Sequence, residues 1–294
     1  MKSCDATRVS RRQFGLAGLA AACGPAAFDL LAQAKKGRKK AAAAGKVPIG
    51  VQLYSVRAEC KRDLPGTLAG VAKVGYKGVE FAGYYERSAA DLRKMLDDDG
   101  LKCSGTHTGL DTILGDKLKA TIDFNKEIGN KYLIVPSLPA KYRSSKDAWL
   151  ETAKLFNEAA ARAGEQGLLV GYHNHVEEFK PLEDAIPFDL FFGNTNKAVI
   201  MQLDIGHALR GGADPVEVLK RYAGRAITVH VKEWSSTKND AVVGEGEVKW
   251  AEVFQACETI GGTEWYILEE ETNAFQGLDG IDKSLKALQA MGKA

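Results

Sequence analysis

From residue 47 onward, short apolar runs alternate with longer stretches in which apolar residues recur every three or four positions. The runs fall at 49–54, 78–81, 102–106, 132–136, 168–173, 198–204, 226–231 and 265–269. They are strand-length and bounded by turn residues, as buried strands are. The stretches between them, from LPGTLAGVAKVG to IDKSLKALQAMG, carry helical spacing. Several close on glycine, which suits a left-handed C-cap. Ser88 before AADL and Asp214 before PVEV suit helix starts. Eight strand–helix units in about 245 residues predict a single (β/α)8 TIM barrel. Strands apolar on both faces fit a parallel sheet wrapped in helices. The alternative is a doubly wound open sheet. No G-x-G-x-x-G follows the first run and no G-x-x-x-x-G-K-S/T occurs, so nucleotide-binding signatures are absent.

The chain's five histidines all lie where a strand of such a barrel ends. They are His107 in SGTHTGL, His173 and His175 in GYHNH, His207 in QLDIGH and His230 in TVHVKEW. Asp204 shares one of these stretches, and Glu269 closes a similar one in WYILEEE. The carboxyl ends of barrel strands are where such folds keep their chemistry. Residues two apart share a strand face. Gln52 therefore pairs with Tyr54, His173 with His175, Gln202 with Asp204, His230 with Lys232 and Glu269 with Glu271, while Glu80 ends the second run. An imidazole and two carboxylates from different strands can hold Mn²⁺, Zn²⁺ or a related ion with positions left open. Unpaired charges are costly to bury, so Asp204, His230 and Glu269 together point to such a site. Plainer roles suit other residues. His207, after Gly206, can cap a helix or support a ligand. Glu270 faces helices or solvent if Glu269 faces inward, and Glu271 is rim charge. Glu177, Glu178 and Lys180 read as solvated loop charges. Tyr54, Tyr84, Trp234 and Trp250 are candidate pocket aromatics. Gly244-Glu245-Gly246 is a turn or a substrate-side lid.

Charge is unevenly placed. The whole chain carries a formal +2; residues 1–34 hold +2 and KKGRKKAAAAGK, residues 35–46, holds +6, which leaves −6 for 47–294. An acidic body argues against a nucleic-acid partner, whose backbone is bound mainly through Lys and Arg. The segment SRRQFGLAGLAAACGPAAFDLLAQA reads as a signal peptide, with an apolar run after Arg11-Arg12 and a cleavage site at Ala32-Gln33-Ala34. Ser10 before the arginines and Phe14 after them resemble a twin-arginine export signal. The expected organisation is a signal peptide over 1–34, a basic linker over 35–46 and a catalytic barrel over 47–294, exported to the periplasm. Gly24, Pro25 and Asp29 interrupt the apolar run, so no stable membrane span is expected. Lipid anchoring at Cys23 fits the spacing less well. Beyond residue 34 only Cys60, Cys103 and Cys257 remain, an odd number without a CxxC, which predicts buried thiols and no disulfide framework.

The stretches GVQLYSVR, YKGVEFAGYY, GTHTGL, GYHNHVEEF, MQLDIGHA, HVKEW, GEGEVKW and WYILEEE span nearly all of 49–271. In kind and order they resemble the xylose-isomerase-like sugar phosphate isomerase/epimerase family. The resemblance implies one divalent metal ion at the barrel mouth, Mn²⁺ foremost, with Co²⁺, Zn²⁺ or Mg²⁺ as alternatives. Its implied ligands are a Glu from the fifth strand, an Asp from the sixth, a His from the seventh and a Glu from the eighth. Asp204, His230 and Glu269 match three of them. At the fifth, the chain reads Tyr172-His173-Asn174-His175, so His173 takes the ligand's place, with His175 as substrate contact or alternate ligand. An imidazole that ligates a metal has no lone pair left to act as a base. That argues against the two-glutamate proton shuttle of the epimerases.

The implied chemistry is isomerisation, epimerisation, or a lyase or hydratase reaction beside the carbonyl of a sugar or keto-sugar. In it Glu269 takes a proton, while Lys232 or His107 donates one or holds the oxyanion. Gln52, Tyr54, Glu80, His175, His207 and Trp234 are the expected substrate contacts. Export favours an unphosphorylated substrate. A non-catalytic periplasmic sugar-binding protein on the same barrel is an alternative, though it needs no Asp204 with Glu269. Endonuclease IV shares the superfamily but requires a basic surface. A retaining glycosidase would use Glu80 and Glu269 as its pair, a matter of their separation. An oligomer is compatible with all of these.

Overall fold

Every one of the eight apolar runs forms a strand in the computed structural model, which describes residues 46–271 and 277–294. The strands are β1 (Ile49–Gln52), β2 (Gly78–Phe81), β3 (Lys102–His107), β4 (Tyr132–Val135), β5 (Leu169–His173), β6 (Ile200–Asp204), β7 (Thr228–Val231) and β8 (Trp265–Leu268). Each pairs in parallel with the next, and β8 pairs with β1, so the barrel is closed and the open-sheet alternative is overturned.

Helices follow the strands in the order a (β/α)8 barrel requires. They are α1 (Arg57–Arg62) and α2 (Leu64–Val74) after β1, α3 (Ala89–Asp98) after β2, α4 (Lys117–Glu127) after β3 and α5 (Lys146–Gly164) after β4. Then come α6 (Pro187–Asn194) after β5, α7 (Ile205–Arg210) and α8 (Pro215–Arg221) after β6, α9 (Trp250–Ala256) after β7 and α10 (Gly277–Ala290) after β8. The expected starts hold: Ser88 Oγ accepts the Asp91 N–H at 3.1 Å, and Asp214 Oδ1 accepts that of Val216 at 2.8 Å. None of the described helices is long and apolar enough to cross a membrane. Cys60, Cys103 and Cys257 are free and buried. The signal-peptide features, Arg11-Arg12 and Cys23 among them, and nearly all of the linker lie outside the described residues.

Side-chain alternation divides the barrel interior into layers. Tyr132, Ile134, Ile200, Ile227, Trp265 and Ile267 form an apolar cluster inside the sheet, separate from the larger cluster between sheet and helices. Gly171 makes room for it, because a Cβ there would stand 2.6 Å from Ile200 Cγ1 and 2.8 Å from Ile200 O. Two residues further along the same strand faces, apolar gives way to polar: Gly171 to His173, Ile200 to Gln202, Ile267 to Glu269. Strand register then sets Gln52 beside Glu80, His173 beside Gln202 and Asp204 beside His230.

The first strand is shorter than its apolar run. Gln52 Oε1 accepts the Tyr54 N–H at 3.0 Å and turns the chain into a 3-10 turn, Leu53–Val56. Tyr54 therefore does not share a strand face with Gln52. It is 43% exposed, with the Arg57 guanidinium 4.2 Å from its ring centre.

Candidate active site

The polar layer begins with a buried floor. Glu80 on β2 and Gln52 on β1 are wholly buried, as is Gln202 on β6. Glu80 Oε1 accepts from Gln202 Nε2 at 2.7 Å, and Oε2 accepts from Gln52 Nε2 at 2.8 Å and His230 Nε2 at 2.6 Å. Gln202 Oε1 faces His107 Nε2 at 2.8 Å and His173 Nδ1 at 3.1 Å. Carboxylate and carbonyl oxygens only accept, so all three rings must carry their protons on these nitrogens. The opposite ring nitrogens His107 Nδ1 and His173 Nε2 keep their lone pairs, whereas His230 Nδ1 faces Glu269 Oε2 at 3.2 Å and would give up its proton to serve an ion. A buried carboxylate behind a histidine is a common arrangement behind metal ligands. Gln52 and Glu80, expected as substrate contacts, are instead supports beneath the imidazoles. Glu80 also lies across the His230 ring from Glu269, which is 3.2 Å from His230 Nδ1, so the two do not flank an open cleft as a glycosidase pair would.

Above this floor His173, Asp204, His230 and Glu269 each offer a ligand atom, all within 4.8 Å of one another. Asp204 has two unlike oxygens. Oδ1 caps α7 by accepting the His207 N–H at 2.7 Å, whereas Oδ2 is buried, without a hydrogen-bond partner, and 3.9 Å from His230 Nδ1. Buried carboxylate oxygens are rarely left unpaired. One oriented, partnerless oxygen among imidazoles and a second carboxylate fits a divalent cation.

The electrostatics follow from burial and crowding. Burial raises the Asp204 carboxyl to about 6 against the pull of Lys232. Burial would raise Glu269 as well, but Lys232 and His230 outweigh it and hold that group well below the usual range. Burial works against a charge on His230, yet Glu80 and Glu269 carry it up to about 10. His173 goes the other way, pushed well down by burial and by His230 and His107. The proton on His230 and the raised carboxyl of Asp204 show how strongly the set demands positive charge.

The remaining candidates separate into rim and shell. Lys232 Nζ lies 3.3 Å from Glu269 Oε2 and bonds Glu271, the rim charge. Burial would lower Lys232, but Glu269, Asp204 and Glu271 outweigh it and keep the group an ammonium. His207 lies 4.0 Å from Glu271 Oε2, and its own Nε2 is buried without a hydrogen-bond partner. Trp234 is half-buried, its N–H donating to Glu233 Oε1 at 2.9 Å.

Several expectations are corrected. Trp250 packs on Phe254 in the helix shell and Tyr84 on Phe124, so neither is a pocket aromatic. Glu178 is no solvated loop charge. It is buried, accepting from Tyr172 Oη at 2.8 Å and the His175 N–H at 2.7 Å. Glu270, by contrast, faces the helices as expected, accepting from Ser284 Oγ on α10 at 2.7 Å. The Gly244–Gly246 loop is tied by Glu233, which accepts from Gly244 N–H and Trp250 Nε1, both at 2.7 Å. Residues 242–245 line a surface groove with α10, which does not suit a substrate-side lid. Gly246 is required there, since a Cβ would stand 2.3 Å from Trp234 O.

Comparison with known proteins places this geometry. An inosose dehydratase of Clostridium botulinum is 24% identical over 239 residues, 68% of this chain and 80% of that one. A rhizopine catabolism protein of Rhizobium meliloti is 24% identical over 245 residues, 71% of this chain and 75% of that one. The crystal structure of a sugar phosphate isomerase/epimerase from Parabacteroides distasonis is similar with a TM-score of 0.73 at 27% identity, covering 84% of this chain and 97% of that one. The family model described as xylose isomerase-like TIM barrel matches residues 68–291, from within α2 to just past α10. With a closed eight-stranded barrel beneath that match, the chain belongs to the xylose isomerase-like TIM barrel family.

Proposed function

We propose that this protein is a divalent-metal-dependent enzyme that removes water from a keto-sugar. The observation that carries the reading is the convergence of His173, Asp204, His230 and Glu269 around the partnerless Asp204 Oδ2. These residues would hold the ion, Mn²⁺, Co²⁺ or Zn²⁺ by their mixed nitrogen and oxygen donors. When bound, it supplies Lewis-acid polarisation of the substrate carbonyl.

The protein's own groups carry the proton. Glu269, held ionised, takes the hydrogen from the carbon next to the carbonyl, and that C–H electron pair forms the new double bond. The C–O bond one carbon further breaks, and the departing oxygen receives the proton back from Glu269 and leaves as water. One carboxylate suffices when it returns the proton it removed. Lys232, kept an ammonium by three carboxylates, holds developing negative charge on the carbonyl oxygen. His173, as a ligand, cannot be the second base that a two-sided epimerisation needs, which favours elimination. The inosose dehydratase name of the relative supports the same direction. The export-like start of the sequence supports a periplasmic location and an unphosphorylated substrate.

The test is a screen of keto-sugars in D₂O, followed by proton NMR, with Mn²⁺, Co²⁺ or Zn²⁺ added to chelated protein. Metal-dependent loss of the hydrogen next to the carbonyl, with an unsaturated ketone as product, is expected. Deuterium exchange without loss of water would replace elimination by isomerisation or epimerisation. Binding without any turnover would leave a sugar-binding protein.

A further inference from the structure

The mouth holds more imidazole than one ion uses. His175 lies two residues past the end of β5, and His207 stands in the first turn of α7. With His173 they offer three ring nitrogens within 4.8 Å of one another. Ring centres are 4.9 Å apart for His173 and His175, 5.0 Å for His175 and His207, and 6.4 Å for His173 and His207. His207 is 8% exposed, yet its Nε2 is buried with no hydrogen-bond partner, and the Glu271 carboxylate stands at 4.0 Å. Both outer histidines have fixed backbones. The His207 N–H is bound by Asp204 and the His175 N–H by the buried Glu178.

We propose that His173, His175 and His207 hold a second divalent cation beside the one at Asp204, His230 and Glu269. His173 Nδ1 is committed to Gln202, so its one free nitrogen serves a single ion. Giving it to the second ion leaves the first with one imidazole and two carboxylates, three protein ligands with open positions. The two sites then differ in chemistry. The first is oxygen-rich and suits Mn²⁺, whereas three imidazoles favour Zn²⁺ or Co²⁺.

Charge points the same way. Glu80, Asp204, Glu269 and Glu271 form one linked set with a single ammonium, Lys232. With the histidines neutral, as ligation requires, the set carries three net negative charges. One divalent ion leaves one of these unbalanced. The inference shares His173 with the proposed function, so its test must separate the two sites.

That test is zinc stoichiometry on the chelated full-length protein, by calorimetric titration with ZnCl₂ and by elemental analysis after dialysis. Wild type should bind two equivalents. The His175→Ala/His207→Ala and Asp204→Ala/His230→Ala variants should each keep one. If the alanine pair at 175 and 207 fails to fold by circular dichroism, His175→Gln/His207→Gln gives the same reading with closer side-chain volume. A wild type that binds one equivalent, retained in the 175/207 variant, would overturn the second site and leave the proposed function intact. One equivalent lost only in the 175/207 variant would support the second site and remove the first. No bound zinc at all would remove both.

Discussion

The side-chain amide of Gln202 stands between a carboxylate and two imidazoles, and each contact constrains the next. Glu80 only accepts, so the amide nitrogen must face it, and the carbonyl must face His107 and His173. Gln202→Leu keeps most of the volume but strands the His173 ring N–H and one carboxylate oxygen, while His107 Nε2 keeps Glu80 Oε2 at 3.1 Å. Metal affinity should fall roughly 10–100-fold, as when partners behind a ligand are removed. Stability should fall by on the order of 1–3 kcal/mol for each stranded group. Calorimetric titration and urea unfolding read the two effects; unchanged affinity would mean that another group sets the tautomers. Glu269→Gln should lower turnover by about 10²- to 10⁴-fold while keto-sugar binding persists. A variant that kept full turnover would remove Glu269 as the base. The histidines and acids were legible in the sequence because charged and imidazole groups stand out at the ends of apolar runs. Gln202 was visible only as the face partner of Asp204, since a neutral amide at period two looks like filler. Glu178 reads as a surface charge in HVEEF because its partner, Tyr172 Oη, lies beyond any local pattern.

Between elements, the end of β8 is joined to α10 through Glu270. Its N–H donates to Ser55 Oγ at 2.9 Å, and its carboxyl accepts from Ser284 Oγ on α10. Burial raises this carboxyl to about 7 from 4.5, against the pull of Ser284 and Lys232. The folded state thus prefers the protonated form. The associated stability is fully present below about pH 4.5 and is lost as pH rises through about 7. A gap of that size corresponds to roughly 3 kcal/mol. Glu270→Gln keeps an acceptor for Ser284 without a titrating proton. In EDTA, urea unfolding at pH 5 and pH 8 should show a smaller fall in stability for this variant than for wild type. Equal falls would assign the slope to Asp204 and its neighbours. Strand faces made the outward course of Glu270 legible from the sequence, but not its helical partner. The early end of β1 was hidden because one side-chain bond from Gln52 to the Tyr54 N–H decides it, where apolar continuity through Leu53 and Tyr54 suggests strand.

For the molecule as a whole, period-two and helical patterns identified a closed barrel because eight repeats of one unit leave few other ways to bury both faces of a parallel sheet. What the pattern could not convey is the depth of the charge. The top of the barrel encloses Glu80 and Asp204, both wholly buried, with Glu269 at 5% exposure. Without an ion, protons and Lys232 relieve this repulsion, as the raised His230 and Asp204 show, beside the hydrogen bonds from Gln52, Gln202 and the His207 N–H. Binding of the proposed ion would therefore be coupled to folding. An ion at a hundred times its dissociation constant stabilises the fold by about 2.7 kcal/mol per site. For a domain of this size that corresponds to a rise in Tm of roughly 5–10 °C. Scanning fluorimetry in EDTA and then in excess MnCl₂ should show the rise in wild type and its loss in Asp204→Ala/His230→Ala. A wild type whose Tm ignores Mn²⁺, Co²⁺ and Zn²⁺ alike would show that protons and Lys232 already satisfy the mouth, and the reading as a metal enzyme would fall with it.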